Sequence, residues 1–499
     1  MSGAARGHVV VVGGSVAGLA TALALTRVGR RVTILERDPS PPPDDLARVF
    51  QDWDRRGSPQ TLHSHAFLAR LHNLLRDRAP DLLEALFAHG VETLPFREMA
   101  DQLVPGATLV PEDDEITLLA CRRLTFEWVL RRHVAALPAV TLEVGATALG
   151  LVADAEGAGP PRVRGLRWRR SRSDPSETLE AELVVDASGR RTRIARWLEE
   201  IGAPTLRVES EPCGIFYSSR FYALREDAER PSIDRPMAAD LGFLKYGIFP
   251  GDAGTFALTL AASPDDAPLR ALLHADAFEA VANLLPSVRP WVDTRLARPI
   301  SDAVPMSNLH NTRRFLVDGG EPLALGLAGV GDSLMHTNPL VGRGCTLAFV
   351  NAFALADALR ENPDDLRAFA LDLDARVERE IVPWYENART QDRDAIAVNE
   401  LIRHGDDPHA VHRPDGSIDP RAMMRAMVRD GLLPAMREDV RVLRAFMRIF
   451  NLLDEPEDLM KDPRILSRVM ECYQRRQERP PTDQPSREQV IERLASIAS

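Results

Sequence analysis

Three stretches of the chain repeat one hydrophobic pattern: a short apolar run, a turn rich in glycine and acids, then an apolar segment of helical period. Val9–Val12 is a continuous apolar run, as a strand buried on both faces requires. Val16–Arg27 carries helix formers, with small Ala17, Gly18 and Ala20 on the face that must pack closely. Gly29 ends that helix, and Val32–Leu35 is the next strand, closing on Glu36. In the second stretch, Leu183–Val185 runs into Asp186, a turn of Ser188, Gly189 and Arg190, and a helix. In the third, the run Leu323–Val330 stops at Gly331-Asp332. A loop with His336, Asn338, Pro339, Gly342, Arg343 and Gly344 follows, and then an apolar helix. Glycines and acids at strand ends mark the place where ligands sit beyond the carboxyl edge of a parallel sheet.

The first stretch has the spacing Gly13-x-Ser15-x-x-Gly18, one residue off the G-x-G-x-x-G fingerprint. Gly13 serves the tight turn and Gly18 the helix–strand contact, while Ser15 stands where a pyrophosphate approaches backbone N–H groups. Glu36 lies about twenty residues on, where an acid accepts hydrogen bonds from a ribose hydroxyl. Arg37 is placed beside it at the nucleotide. Embedded in strand–helix–strand, this spacing predicts dinucleotide binding, and the acid disfavours a ribose 2′-phosphate, so the pocket should not hold NADP.

Between about Thr205 and Pro299 the pattern changes to strands. Gly214–Leu224 is rich in aromatic and β-branched residues, and two further strands flank a Pro250-Gly251-Asp252 turn. By alternation, about half of the aromatic residues there can face a pocket. We place Tyr217, Arg220, Tyr222 and Phe249 near the site. From Pro363 on, the chain is helical and amphipathic, broken by a polar loop around His404–Pro420 and a Pro-rich linker before a short last helix. No chemistry stands out there; the region reads as a cap over the cavity or a homodimer contact. The run Arg167–Asp174 reads as a solvated hairpin. Of Arg122, Arg123, Arg131 and Arg132, one is expected at the nucleotide and three on the surface.

Composition narrows the classes. At 499 residues the chain can build two or three domains, and 44% hydrophobic with 27% charged content describes an ordinary globular protein. A net charge of −11 argues against general nucleic-acid affinity. Cys121, Cys213, Cys345 and Cys472 lie far apart without metal-ligand spacing, as in a reduced cytoplasmic chain. His63 and His65 have no third ligand spaced to complete a metal site, so no metal is expected. No stretch reaches the roughly 18 to 20 apolar residues of a membrane span. The glycines within Val9–Leu25 argue against a signal peptide.

Taken in order, the three blocks resemble the FAD-dependent monooxygenases of the p-hydroxybenzoate hydroxylase fold, over roughly Val9 to Leu359. The resemblance implies an α/β architecture with four parts. A Rossmann-like FAD-binding domain would take 1–204, with a loop–helix insertion near 50–100, and 300–362. An inserted antiparallel β-sheet for substrate would take 205–299, and a helical C-terminal region 363–499. It implies that Glu36 binds the adenosine ribose, that the Asp186 block lies near the pyrophosphate, and that Asp332 takes the ribityl chain. The flavin ring would then lie against Pro339, Gly342 and Gly344, with Arg343 and His336 beside it. The segment Arg55–Leu75 resembles a loop-plus-helix block of related FAD-dependent oxidoreductases. Its His63 and His65 either bond within the loop or line the flavin edge. Arg123 matches the helix arginine that contacts the flavin nucleotide. Two departures stand out: Ser15 replaces a glycine, and Asp-Ala-Ser-Gly at Asp186–Gly189 places that block on the halogenase- and reductase-like side of the group.

The function implied is oxygenation of a mostly apolar, natural-product-like organic molecule by O2, with NADH or NADPH as transient reductant. The cofactor carries the hard chemistry and the protein orients and excludes water. A halogenase should carry a Trp-x-Trp-x-Ile-Pro block and an early lysine. Here no two tryptophans stand two apart, and no lysine precedes Lys245. A double-bond reductase of the same fold and a non-catalytic nucleotide- or lipid-binding protein are the alternatives.

Overall fold

The computed structural model describes residues 7–154, 159–171, 173–232, 235–413, 415–480 and 482–498. Its centre is a five-stranded parallel sheet in the order Leu327–Gly329, Leu183–Asp186, His8–Val12, Arg31–Glu36, Val140–Val144. The first strand is apolar throughout because both its faces are covered. Val9 and Val11 join a core with the helices Val16–Arg27 and Gly344–Glu361. Val10 and Val12 join a second core with a three-stranded antiparallel sheet that includes Arg162–Arg169. Register sets the functional edge: Val12 lies opposite both Leu35 and Asp186, and Asp186 opposite Gly329. Three blocks far apart in sequence thus leave the sheet side by side.

The inserted sheet is antiparallel, in the order Ala238–Asp240, Leu244–Pro250, Thr255–Ala262, Phe216–Leu224. Ala297–Pro299 and Val304–Met306 both pair along the outer edge of Phe216–Leu224. The edges expected at 205 and 299 therefore move. Arg207–Pro212 pairs instead with His310–Phe315, and the insertion runs on to Met306. One face of this sheet packs on the helix Ala275–Ala282 and on Val490 and Leu494 of the last helix. The other face meets the loop around His63.

The C-terminal region is helical, and its longest element is Val382–His404, stopped by Gly405 at φ 85°. Arg162–Arg169 forms a hairpin with Glu177–Glu180, with Trp168 buried and Arg167 exposed; Arg172 of that charged run lies outside the described residues. The helix Arg123–Ala135 corrects an expectation. Arg123 and Arg131 are both buried, Arg122 is half-buried against Asp252, and Arg132 alone is exposed. That helix is enclosed on almost every side, so Arg122 and Arg123 are drawn into internal ion pairs with Asp252 and Glu127. No helix among the described residues is long and apolar enough to cross a membrane.

Candidate functional site

At the dinucleotide turn, Gly13 adopts φ 111°, and a Cβ there would stand 2.5 Å from the Ala187 carbonyl oxygen. A Cβ on Gly18 would lie 1.8 Å from the Gly13 carbonyl oxygen. The turn is thus wedged between its own helix and the Asp186 block, and only glycine fits either place. No side chain caps the helix Val16–Arg27, which leaves donor capacity in its first turn for an anion. Glu36 is held against this turn: Oε2 accepts from Gly14 N–H at 3.1 Å and Oε1 from Asp38 N–H at 2.8 Å.

Around the turn lies a charge cluster that includes residues missed from sequence. Arg55, 1% exposed, donates to Glu127 at 2.6 Å and approaches Asp38 at 3.2 Å and Glu36 at 3.4 Å. Burial opposes its charge, but Glu127, Glu36 and Asp38 outweigh burial and raise its pKa. Arg123 donates to Glu127 and to Ser15 Oγ, both at 3.1 Å, and to Cys345 Sγ at 2.8 Å. Ser15 in turn donates to Glu127 at 3.0 Å, so the serine in the fingerprint is an anchor between the turn and the helix Arg123–Ala135. For Glu127, too, burial is overcome by Arg55 and Arg123, and its pKa is lowered. Arg131, also buried, reaches the Gly14 carbonyl at 3.4 Å; burial and the neighbouring Arg55 lower its pKa. One signal was available: Glu127, the single acid on this helix, stands four residues after Arg123. Arg37 is exposed.

The two other strand-end acids differ. Asp186 is fully buried, and its carboxylate accepts from Ser188 N–H at 2.9 Å and from the Thr192 hydroxyl. Burial raises its pKa against those bonds. Its carboxylate is therefore engaged by its own turn on both oxygens. Asp332 has a side chain 39% exposed, and its carboxylate lies 3.9 Å from His336 Nε2. Among the described residues no donor claims the Asp332 carboxylate. An acid at a strand end with all its acceptor capacity open fits a polyol chain, so the residues present accommodate a flavin nucleotide here. His336 is buried, with Nδ1 at 2.6 Å from the His310 carbonyl.

In the following loop, Gly342 has φ 69°, and a Cβ there would stand 2.7 Å from Ala66 Cβ. Pro339 opens a short helical turn, and Gly344, exposed, begins the helix Gly344–Glu361. Arg343 departs from expectation. Its guanidinium is buried, donates to Asn387 at 2.9 Å and lies 5.0 Å over the Trp384 ring. Burial, against the attraction of Asp392, pushes its pKa down to about 10. It anchors the loop to the helix Val382–His404.

The inserted sheet sorts its residues by alternation. Tyr217, Ser219 and Phe249 share the face toward the loop, where His63 Nδ1 lies 3.2 Å from Ser219 Oγ and its ring meets Tyr217 edge-on at 5.0 Å. Ser64 and Ser219 both bond the Thr259 hydroxyl, at 2.7 and 2.8 Å. His65 Nδ1 bonds the His63 carbonyl at 3.0 Å, and its Nε2 lies 3.4 Å from Arg123. Burial pushes the His63 imidazole down to about 4, with Arg190 adding to it. Burial and then Arg123 push His65 to about 3. Arg220 and Tyr222 fall on the opposite face. Arg220 pairs with Glu279 at 2.8 Å, the Tyr222 hydroxyl donates to Glu279 at 2.5 Å, and the Tyr222 ring stacks on Phe256. Glu279 on the covering helix thus satisfies both, on the sheet face away from His63.

Residues 8–52 match the family model described as pyridine nucleotide-disulphide oxidoreductase. Protein Rv3254 of Mycobacterium tuberculosis is 28% identical over 475 residues, covering 90% of each chain. Among solved structures, the flavin-dependent brominase Bmp2 superposes with a TM-score of 0.57 at 16% identity, covering 94% of this chain and 99% of that one. The p-nitrophenol 4-monooxygenase PnpA from Pseudomonas putida gives a TM-score of 0.57 at 17% identity, covering 90% and 98%. The chain has the fold of these flavin-dependent monooxygenases and halogenases: a Rossmann-like sheet, additional antiparallel sheets and C-terminal helices.

Proposed function

We propose that the protein is an FAD-dependent oxidoreductase that uses O2 to hydroxylate or epoxidise a mostly apolar organic molecule. The observation that carries this is the row of strand ends at one sheet edge, which combines the Gly13–Gly18 turn, Glu36 and the unclaimed carboxylate of Asp332. FAD, reduced by NADH or NADPH, would supply the oxygen-activating chemistry when bound. The residues of this chain do the rest. Glu36 and the Gly13–Gly18 turn hold the adenosine and pyrophosphate, and Asp332 accepts from the ribityl hydroxyls. Gly342 lets the loop backbone approach a flat ring. His63, neutral at pH 7, and Tyr217 line the substrate side, and the sheet face with Phe249 excludes water.

Halogenation is not proposed: the only lysines are Lys245 and Lys461, and Lys245 is paired with Asp240. The test is turnover of candidate apolar substrates with NADH or NADPH, with and without oxygen. Oxygenated product that forms only under oxygen is expected. Equal conversion under strict anaerobiosis would overturn the proposal and favour a double-bond reductase. Absence of substrate-dependent NAD(P)H oxidation across such compounds would point to a binding protein.

A further inference from the structure

The loop that follows Asp332 is held from behind by a closed ring of buried hydrogen bonds. Asn338 N–H donates to Asn311 Oδ1 at 2.8 Å, Asn311 Nδ2 donates to Asp392 Oδ2 at 2.7 Å, and Asn338 Nδ2 donates to Asp392 Oδ1 at 2.7 Å. Asn338 Oδ1 accepts from Leu340 N–H at 3.0 Å, carrying the order one step further into the loop. Asn311, Asn338 and Asp392 are all buried, at 0, 5 and 7% exposure. Each oxygen of Asp392 faces an NH2 group, so the position accepts only a side chain without donors. An asparagine there would set one NH2 against another. A buried carboxylate is costly, and two amides, the Cys213 thiol and the attraction of Arg343 repay that cost in part.

Asp392 lies on Val382–His404, and the same helix holds the far end of the loop, where Arg343 meets Asn387 and Trp384. Further along, the helix touches the start of the inserted sheet. A Cβ on Gly214 would lie 2.2 Å from Ile396 Cγ1, and one on Gly242 would lie 2.8 Å from Ile402 Cδ1. One rigid helix thus grips both ends of the loop and the sheet that carries Tyr217.

We propose that Asp392 is the positioning residue of the loop 336–344, fixing it through Asn338 against a helix that also aligns the inserted sheet. The C-terminal region then acts as the beam that sets the distance between the loop and the sheet face. That this distance is the one between flavin and substrate rests on the function proposed above; the positioning itself does not.

The test uses the full chain as purified and reads backbone hydrogen exchange, which needs no substrate and no bound flavin. Asp392→Asn should speed exchange across residues 338–344 by at least about tenfold, while the His8–Val12 strand stays protected. The exchanged pair Asn338→Asp with Asp392→Asn keeps the net charge. It also keeps every bond of the ring: the amide placed at position 392 accepts from Asn311 and donates to the carboxylate placed at position 338. It should return the loop to within about twofold of wild type. In FAD-loaded protein, the visible flavin band should shift in the single variant and return in the double.

Unchanged loop exchange in the single variant, a uniform rise throughout the chain, or a double variant as fast as the single would overturn the proposal. If the single variant does not fold, the double decides: a folded, protected loop supports the proposal, and failure to fold refutes it. A wild-type chain that takes up no FAD would refute the proposed function, while the exchange results would still decide the role of Asp392.

Discussion

Replacing Arg55 with Met tests whether the charge cluster at the turn serves a nucleotide. The cluster balances three acids, Glu36, Asp38 and Glu127, against three arginines, Arg55, Arg123 and Arg131, all buried. Arg55 contacts the acids at 2.6 to 3.4 Å and lies 3.4 Å from the Gly14 carbonyl on the turn. Removing one partner of a buried ion pair costs about 3–5 kcal/mol, because the remaining charge is left uncompensated. The cost to FAD is separate. A pyrophosphate arriving at a cluster of net charge −1 loses one favourable interaction, worth about 3 kcal/mol for unit charges about 5 Å apart at an effective dielectric constant of about 20. The dissociation constant should rise about a hundredfold.

A second substitution separates the two effects. Arg55→Met with Glu127→Gln restores neutrality and keeps an oxygen acceptor for Arg123 and Ser15, so much of the stability should recover, while affinity should recover less because the pyrophosphate still lacks the Arg55 charge. Titration of apoprotein with FAD, followed by flavin fluorescence, gives the affinities, and urea unfolding gives the stabilities. A dissociation constant within about threefold of wild type in a folded Arg55→Met protein would refute the assignment.

Other substitutions probe the rest of the site. Asp332→Ala should weaken FAD binding by one to two orders of magnitude in the same titration, as expected for loss of an interaction of about 1.5–3 kcal/mol. Gly342→Val forces a β-branched residue to φ 69° with its Cβ 2.7 Å from Ala66, so hydrogen peroxide should replace product while NAD(P)H oxidation continues. Comparing peroxide and product yields checks this. His63 resists protonation when folded, and its imidazole sits near 4 against about 6.5 unfolded. The unfolded state therefore binds more protons between those values, and about 3 kcal/mol of stability is present above pH 6.5 and lost as pH falls through 4. The gap between urea midpoints at pH 7.5 and 4.5 should narrow in His63→Gln without closing, because His65, held near 3, contributes in the same direction. Tyr222→Phe should cost about 1–2 kcal/mol of stability in urea unfolding and leave turnover unchanged, whereas Tyr217→Phe should alter turnover.

What the sequence disclosed was what neighbouring residues decide. The Gly13–Gly18 turn, Glu36 and Asp332 are read from local period and turn chemistry, and each stands at its expected strand end. Side chains whose direction depends on distant partners were less legible. Tyr222 and Arg220 bond Glu279, and Arg343 bonds Asn387. Arg55 went unnoticed because its strongest partner, Glu127, lies 72 residues further along. The start of the inserted sheet was misjudged for the same reason, since Arg207–Pro212 finds its partner only at His310–Phe315. Asp392 stands in a helix whose amphipathic pattern gives no hint of the asparagines it meets.

The central claim is that this sheet edge holds FAD, and the most direct test is to identify the chromophore that heat denaturation releases from freshly purified protein, or from protein first incubated with FAD and desalted. The account predicts FAD, close to one per chain and released without proteolysis. Release of FMN, or a colourless protein that retains no FAD after incubation, would contradict it.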